Sequence, residues 1–323
     1  MPLTQVTASN KPDPMTTPFQ APQSRQARAE SGERAGSIAD WVQLVRVPQW
    51  IKNFFVLAPL LFSGEATRLE GIAHAVAAFA MFCLLASAIY LWNDAVDARA
   101  DRAHPIKRKR PIAAGRIGAR HATIAGAVLA VVALASAWLI APPLAVIALL
   151  YLGLNVLYTF RLKEMVLLDV FAIAAFFILR LLAGATAIGV RPSIWLLLCG
   201  GLLALYLGFT KRRHELSTLG SGSADHRSVL SHYSPAFLDQ MSGVLLAVTV
   251  VSYIMYTVSS ETAKNAGDDL LTYSTVFVLY GVFRYLYLVH QRDGGSPTRT
   301  LLTDRALIVT VFLWVAYCAW VIY

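Results

Sequence analysis

The chain has 323 residues, of which 57% are hydrophobic and 15% charged, against roughly 25% charged in an ordinary soluble domain. So few charges exclude a water-soluble globule of this size and point to a membrane protein. The net charge of +9 is expected to gather in cytoplasmic loops facing anionic lipid or substrate, and Cys83, Cys199 and Cys318, each inside an apolar run, exclude a disulfide framework and a zinc site.

Residues 1–36 are rich in Pro, Ser, Thr, Gln, Ala and Arg, with no apolar run after Met1. This predicts a disordered cytoplasmic tail over 1–37 rather than a signal peptide. Residues 38–323 form one polytopic membrane domain. Its apolar runs fall at 51–64, 72–92, 122–140, 143–160, 165–188, 192–209, 236–258, 270–289 and 305–323, close to the ~20 residues that cross a bilayer. They predict an all-α integral membrane protein of nine transmembrane helices, because helices leave no backbone group unpaired in lipid. The first run is short and follows Pro48, so it is expected to tilt or to start in the interface. Trp41, Trp50, Trp92, Trp195 and Tyr158 fall near predicted ends, as interface anchors do.

Placing the N-terminus in the cytoplasm leaves 17 Lys and Arg in the interior loops 93–121, 161–164, 210–235 and 290–305. The exterior loops hold 3, namely Arg68, Arg191 and Lys264. That asymmetry predicts a multi-pass plasma-membrane protein with its N-terminus inside and its C-terminus outside.

The segment after the second run reads Asn93-Asp94-Ala95-Val96-Asp97-Ala98-Arg99-Ala100-Asp101-Arg102. On a helix, Asp94, Asp97 and Asp101 share one face, with Asn93 beside them. Three like charges on one stripe repel, and a cation that neutralises them gives the pattern a purpose. Hard oxygen ligands of this kind suit Mg²⁺, which typically joins a few carboxylates to substrate phosphates. Next come His104-Pro105-Ile106-Lys107-Arg108-Lys109-Arg110-Pro111-Ile112-Ala113-Ala114-Gly115. Four consecutive basic residues beside three aspartates resemble the two halves of a diphosphate clamp.

The Asn-Asp-x-x-Asp-x-x-x-Asp-Arg pattern after a second span resembles the UbiA superfamily of intramembrane prenyltransferases. The continuation His-Pro-x-Lys-x-x-Arg-Pro-Ile-Ala-x-Gly resembles its decaprenyl-phosphate phosphoribosyltransferase branch. Gln49-Trp50-Ile51-Lys52-Asn53, Leu154-Asn155 to Tyr158 with Leu162-Lys163, Leu168-Asp169-Val170 through Arg180, and Lys211-Arg212 are similar to it too. The resemblance implies a Mg²⁺-dependent enzyme with a UbiA-like bundle that moves 5-phosphoribose from phosphoribosyl pyrophosphate to a polyprenyl phosphate. It implies Asp94, Asp97 and Asp101 as catalytic metal ligands. It implies Lys52, Asn93, Arg102, His104, Lys107, Arg110, Tyr158, Lys163, Lys211 and Arg212 as substrate contacts.

Two departures stand out. Arg46-Val47-Pro48-Gln49-Trp50 replaces an expected Arg-Pro-x-Gln-Trp. The third interior loop carries Lys211-Arg212-Arg213-His214-Glu215, then Asp225 and Asp239, with no Asp-x-x-x-Asp. Aromatic prenyltransferases of the superfamily carry a second Asp motif there, so its absence counts against the alternative, transfer of a prenyl group from an isoprenyl diphosphate to an aromatic or quinone precursor. A transporter using Asp169, Arg180 and Arg284 is a rival of another class, and it leaves the motif after the second run unexplained. Arg180 and Arg284 lie within apolar runs and must each face the bundle interior or snorkel. No P-loop, G-x-G-x-x-G or G-x-S-x-G motif is present, and a nucleic-acid partner is not expected. A homo-oligomer is compatible with the sequence, which does not set its size.

Overall fold

The computed structural model describes residues 36–105, 107–219, 228–259, 268–291 and 303–323. Residues 1–35 of the tail expected over 1–37 lie outside them, as do Asp225 and Lys264. Among the described residues, seven helices are long and apolar enough to cross a membrane. They are α3 (Leu69–Ala103), α4 (Ala119–Ile140), α5 (Pro142–Phe160), α6 (Leu168–Ala187), α7 (Ile194–Leu219), α8 (Pro235–Val258) and α10 (Arg305–Ile322). Two further apolar runs are broken. The first is a 3-10 helix, Val47–Val56, followed by α2 (Ala58–Phe62); the eighth is a 3-10 helix, Asp268–Ser274, followed by α9 (Thr275–Gln291). Each of the nine predicted runs is therefore helical, and the all-α membrane architecture stands.

A short helix, α1 (Ile38–Val45), precedes the bundle. Ser37 starts it with a capping box: its Oγ accepts from Asp40 N at 3.2 Å, and Asp40 Oδ2 accepts from Ser37 N at 3.1 Å. Arg46, at φ 55°, ends it in the left-handed region and sends the chain into the 3-10 helix. Ten residues of 3-10 helix is long for a form that usually runs three or four. Pro48 in its first turn and Pro59 at the start of α2 mark the breaks on either side of it. The segment packs against α3 and α6. A Cβ on Gly184 of α6 would lie 1.9 Å from the Val56 carbonyl oxygen, so only glycine permits this approach.

Helices adjacent in the chain pack against one another, α3 on α4, α4 on α5, α5 on α6, α6 on α7 and α7 on α8. The buried face of α4 is built from small residues, while α3 buries Phe82, Leu85 and Leu91 among its alanines. Ala75, Ala78 and Ala88 of α3 and Ala122, Ala133 and Ala137 of α4 are fully buried, while Val131 and Leu139 of α4 and Phe312 and Trp320 of α10 are exposed. Lipid is as apolar as leucine, so a large side chain gains little by turning inward, whereas small ones let backbones approach. At 35 residues, α3 is about 52 Å long against a hydrocarbon core of about 30 Å. Its last turns must stand clear of the hydrocarbon, and they carry the Asp motif.

Candidate active site

The Asp motif is helical to Ala103, so Asp94, Asp97 and Asp101 do share a face. Asp94 and Asp101 are almost fully buried. The Arg110 Nη1 donates to both, at 3.1 Å to Asp94 Oδ1 and 2.7 Å to Asp101 Oδ2. Arg46 Nη2 donates to the same Asp94 oxygen at 2.5 Å, and its guanidinium lies 5.0 Å from the centre of the Tyr90 ring. Asp97 is half-buried and makes no ion pair or hydrogen bond among the described residues. The basic motif folds back because Arg116 and Ile117 N–H both donate to the Pro111 carbonyl, closing a turn on the buried Ile112. That turn aims Arg110 at the stripe, while Arg102 and Lys107 are exposed. His104 Nδ1 accepts from Lys107 N at 3.3 Å, and Thr159 Oγ1 of α5 donates to Asn93 Oδ1 at 3.3 Å.

A second polar cluster joins α5, α6, α7 and the turn before α8. Asp169 and Arg212 are both fully buried, with Arg212 Nε 2.6 Å from Asp169 Oδ2. Arg212 also donates to Glu215 Oε2 at 2.5 Å and to the Tyr158 hydroxyl at 3.3 Å. Tyr233 donates to Asp169 Oδ1 at 2.8 Å and accepts from Leu167 N at 2.7 Å. Burial pushes its phenol up to about 12, so it stays protonated and keeps donating. The expectation that Arg212 touches substrate is corrected here: two carboxylates and a phenol take up its guanidinium, and no surface is left to a ligand. Lys211, the neighbouring residue, is half-exposed, 3.8 Å from Glu215 Oε1. Lys163 is half-buried in the short 3-10 helix Leu162–Glu164 after α5.

A third cluster lies deeper. Arg180 of α6 is buried and donates from Nε to Asn53 Oδ1 at 2.8 Å, from Nη2 to the Tyr151 hydroxyl at 2.7 Å and from Nη1 to the Phe176 carbonyl at 2.9 Å. Lys52, half-buried on the 3-10 helix, lies within electrostatic reach of Lys211, Arg180 and Arg46. Arg284, the other arginine in an apolar run, pairs with Asp304 at 2.9 Å.

The model of the UbiA prenyltransferase family matches residues 54–316. The chain belongs to this family. Among UbiA-family relatives, the decaprenyl-phosphate phosphoribosyltransferase of Mycolicibacterium smegmatis is 32% identical over 93% of the chain and 98% of its own length. The protein of the same name from Mycobacterium tuberculosis is 32% identical over 87% of the chain and 94% of its own. A UbiA homolog from Archaeoglobus fulgidus, solved bound to GPP and Mg²⁺, superposes with a TM-score of 0.66 at 19% identity, covering 88% of this chain and 99% of that one. That likeness establishes a UbiA fold.

The family implies a divalent cation, and the acidic stripe fits one in part. Asp94 and Asp101 offer hard oxygens that both reach a single cationic nitrogen of Arg110, the arrangement a bridging cation needs. Among the described residues no three carboxylate, histidine or cysteine side chains converge on one point. The three-aspartate ligand set expected from the sequence is therefore not assembled by the protein alone. Asp94 and Asp101, seven positions apart, converge on one nitrogen of Arg110, and Asp97 is the member that does not join them. Two carboxylates completed by substrate oxygens and water is a common Mg²⁺ environment. Sequence reasoning did not count Arg46 as a site residue. Its signal was present, a lone basic residue directly before the Val47-Pro48-Gln49-Trp50 run.

Proposed function

We propose that this UbiA-family enzyme transfers 5-phosphoribose from phosphoribosyl pyrophosphate to a polyprenyl phosphate of the decaprenyl type and releases pyrophosphate. The observation that carries the reading is the Arg110 bridge. It brings the basic motif onto the Asp stripe in a chain that matches two relatives bearing the phosphoribosyltransferase name over nearly their whole length. In the proposed site Asp94 and Asp101 would hold a Mg²⁺ that offsets charge on the donor's pyrophosphate, with Asp97 on the same helix face as a further candidate ligand. Arg102, Lys107 and Arg110 donate to its outer oxygens. Asn93 and His104 orient the stripe and the motif. Lys52, Lys163 and Lys211 hold the remaining phosphates, and Tyr158 with Arg212 keeps the α5–α7 wall in place.

In the reaction a lipid phosphate oxygen attacks C1 of the ribose as the bond from C1 to the pyrophosphate oxygen breaks. The bonding pair leaves with pyrophosphate, and C1 passes through an oxocarbenium-like state. A phosphate monoester is largely dianionic at neutral pH, with a second pKa of about 6, so no strong general base is needed. Catalysis is then chiefly positioning and charge stabilisation at a water-poor site. The absence of Asp-x-x-x-Asp after Lys211 weighs against prenyl transfer from an isoprenyl diphosphate. Residues 38–323 would form the transferase domain in the plasma membrane, preceded by a cytoplasmic tail over 1–37, with the basic loops inside and the C-terminus outside.

The reading is tested by giving membranes that contain the protein labelled phosphoribosyl pyrophosphate and a polyprenyl phosphate. A labelled, organic-extractable lipid that depends on both is the expected result. Label transfer from a prenyl diphosphate to an aromatic acceptor, with none from phosphoribosyl pyrophosphate, replaces it.

A further inference from the structure

Two arginines are buried inside the bundle, and they are satisfied in opposite ways. Arg212 is held by the carboxylates of Asp169 and Glu215. Arg180 has no carboxylate partner among the described residues. Its hydrogen-bond acceptors are an amide oxygen (Asn53), a phenol (Tyr151) and a backbone carbonyl (Phe176). The rings of Tyr151, Phe177 and Phe82 stand around it at 4.9, 5.6 and 5.9 Å. Asn53 is itself fixed, with Nδ2 donating to Cys83 Sγ at 3.3 Å, so its oxygen is the end turned to Arg180.

A guanidinium does not lose its proton, so Arg180 remains a positive charge in an apolar interior. Buried charges in proteins are ordinarily paired or held at a cost. Dipoles and ring faces orient and soften such a charge without cancelling it. A second basic side chain, Lys52, lies within electrostatic reach of Arg180, and it too makes no ion pair or hydrogen bond among the described residues. A guanidinium locked into a single rotamer by three hydrogen bonds, with a basic side chain on the adjoining segment, gives a positive potential that an incoming anion offsets. Arg180 retains two N–H groups beyond its three bonds, out of five, and a planar fork of this kind suits phosphate oxygens. Arg180 is set back from the Asp stripe: Cys83, which touches the same Asn53, is eleven residues before Asp94 on α3, about 16 Å along the helix, while Lys52 is within electrostatic reach of both Arg180 and the Arg46 that binds Asp94.

We propose that Arg180 and Lys52 form a seat for a phosphate monoester, beside the pyrophosphate clamp at Asp94 and Asp101. Asn53 and Tyr151 act there as positioning residues that aim the guanidinium. The inference rests on the phosphoribosyl-transfer reading, in which two monoesters are available: the 5′-phosphate of the donor and the phosphate of the lipid acceptor. Their shared chemistry is a dianion on a single ester carbon, and the seat recognises that chemistry.

The test uses the full chain in lipid nanodiscs. Wild type is first required to make labelled lipid, and failure at that stage speaks against the phosphoribosyl reading rather than against the seat. Arg180→Gln, Arg180→Lys and Lys52→Gln are then compared in two arms by ligand-induced thermal stabilisation. One arm pairs phosphoribosyl pyrophosphate with its analogue lacking the 5′-phosphate. The other pairs farnesyl phosphate with farnesol. Wild type is expected to prefer the phosphate-bearing member in both arms. Arg180→Gln is expected to cut that preference about 10- to 100-fold in one arm, leave the other within about twofold, and raise KM for the same substrate. Arg180→Lys is expected to recover part of the loss. The arm that collapses assigns the source of the phosphate. A merely structural Arg180 lowers the melting temperature equally with and without ligand and leaves both preferences intact, and that result overturns the proposal. Should Arg180→Gln fail to fold, Arg180→Lys and Lys52→Gln decide, and unchanged preferences in both overturn it equally.

Discussion

Arg212 Nε and Asp169 Oδ2 meet at 2.6 Å, and neither side chain has any exposed surface. The pair joins α6 to α7, and Tyr233 and Glu215 close it on either side. Removing one member of a buried ion pair strands the other charge, at a cost of about 3–5 kcal/mol. Asp169→Ala and Arg212→Ala should each lower the melting temperature sharply in detergent. Replacing both, with Asp169→Leu and Arg212→Met, should recover much of the loss, because an apolar pair of similar volume is often no worse than the ion pair. A wild-type melting temperature for Asp169→Ala would show that the pair is not structural.

The stripe makes a different prediction. Asp94→Asn and Asp101→Asn should insert and fold yet lose transfer, and EDTA should abolish wild-type activity reversibly on return of Mg²⁺. Direct Mg²⁺ titration in the presence of pyrophosphate should show the same loss of affinity in both variants. Turnover near the wild-type rate in purified Asp94→Asn would remove the clamp.

Within the basic motif, Arg110 touches both carboxylates, whereas Lys107 is exposed. A charge-assisted hydrogen bond is worth about 1.5–3 kcal/mol, so losing either should lower kcat/KM for phosphoribosyl pyrophosphate roughly 10- to 100-fold. Arg110→Ala should also free the Asp94–Asp101 pair from its bridge and change Mg²⁺ affinity, which Lys107→Ala should not. Steady-state kinetics with the lipid phosphate held at saturation checks the first part, and metal titration the second.

Docking of α1 should depend on acid pH. Arg116 Nε donates to Asp40 Oδ1 at 2.6 Å, and this bond, with those from Ser37, holds the Asp40 carboxyl below its ordinary value of 3.8. A depressed carboxyl contributes its stabilisation fully above the unfolded value and loses it as pH falls through the lower, folded one. Trp41 fluorescence should therefore be flat from pH 7 to about 5 and change only in strong acid, below about 4. Arg116→Met should move that change to higher pH.

Topology can be read by labelling. Cysteine placed at 107 or 120 should resist a membrane-impermeant thiol reagent in intact cells, and cysteine at 65 or 191 should react. Labelling at 107 from outside would invert the assignment drawn from the 17-to-3 distribution of Lys and Arg.

Composition, apolar run length and the 3.6-residue period are local properties. They were enough to place the nine helical runs and the gathering of basic residues in alternate loops, whereas the second apolar run ends at residue 92 and the structure carries that helix on to Ala103, through the Asp motif. A resemblance carried by two adjacent motifs was enough to name the family. Tertiary packing alone decided which charges meet. Asp94 is bound by Arg46 and Arg110, 48 and 16 residues away; Arg212 finds Asp169 at a separation of 43; and Arg180 finds Asn53 at 127. No period in the chain encodes such pairings, because they follow from how closely one helix seats on another. Gly184 shows the dependence most directly: its missing side chain lets the Val56 carbonyl approach α6, and that approach brings Asn53 within reach of Arg180. Arg180 and Arg212 look alike in the sequence, a basic residue within or at the edge of an apolar run. One is neutralised and the other is not, because carboxylates on neighbouring turns and helices happen to face only the second.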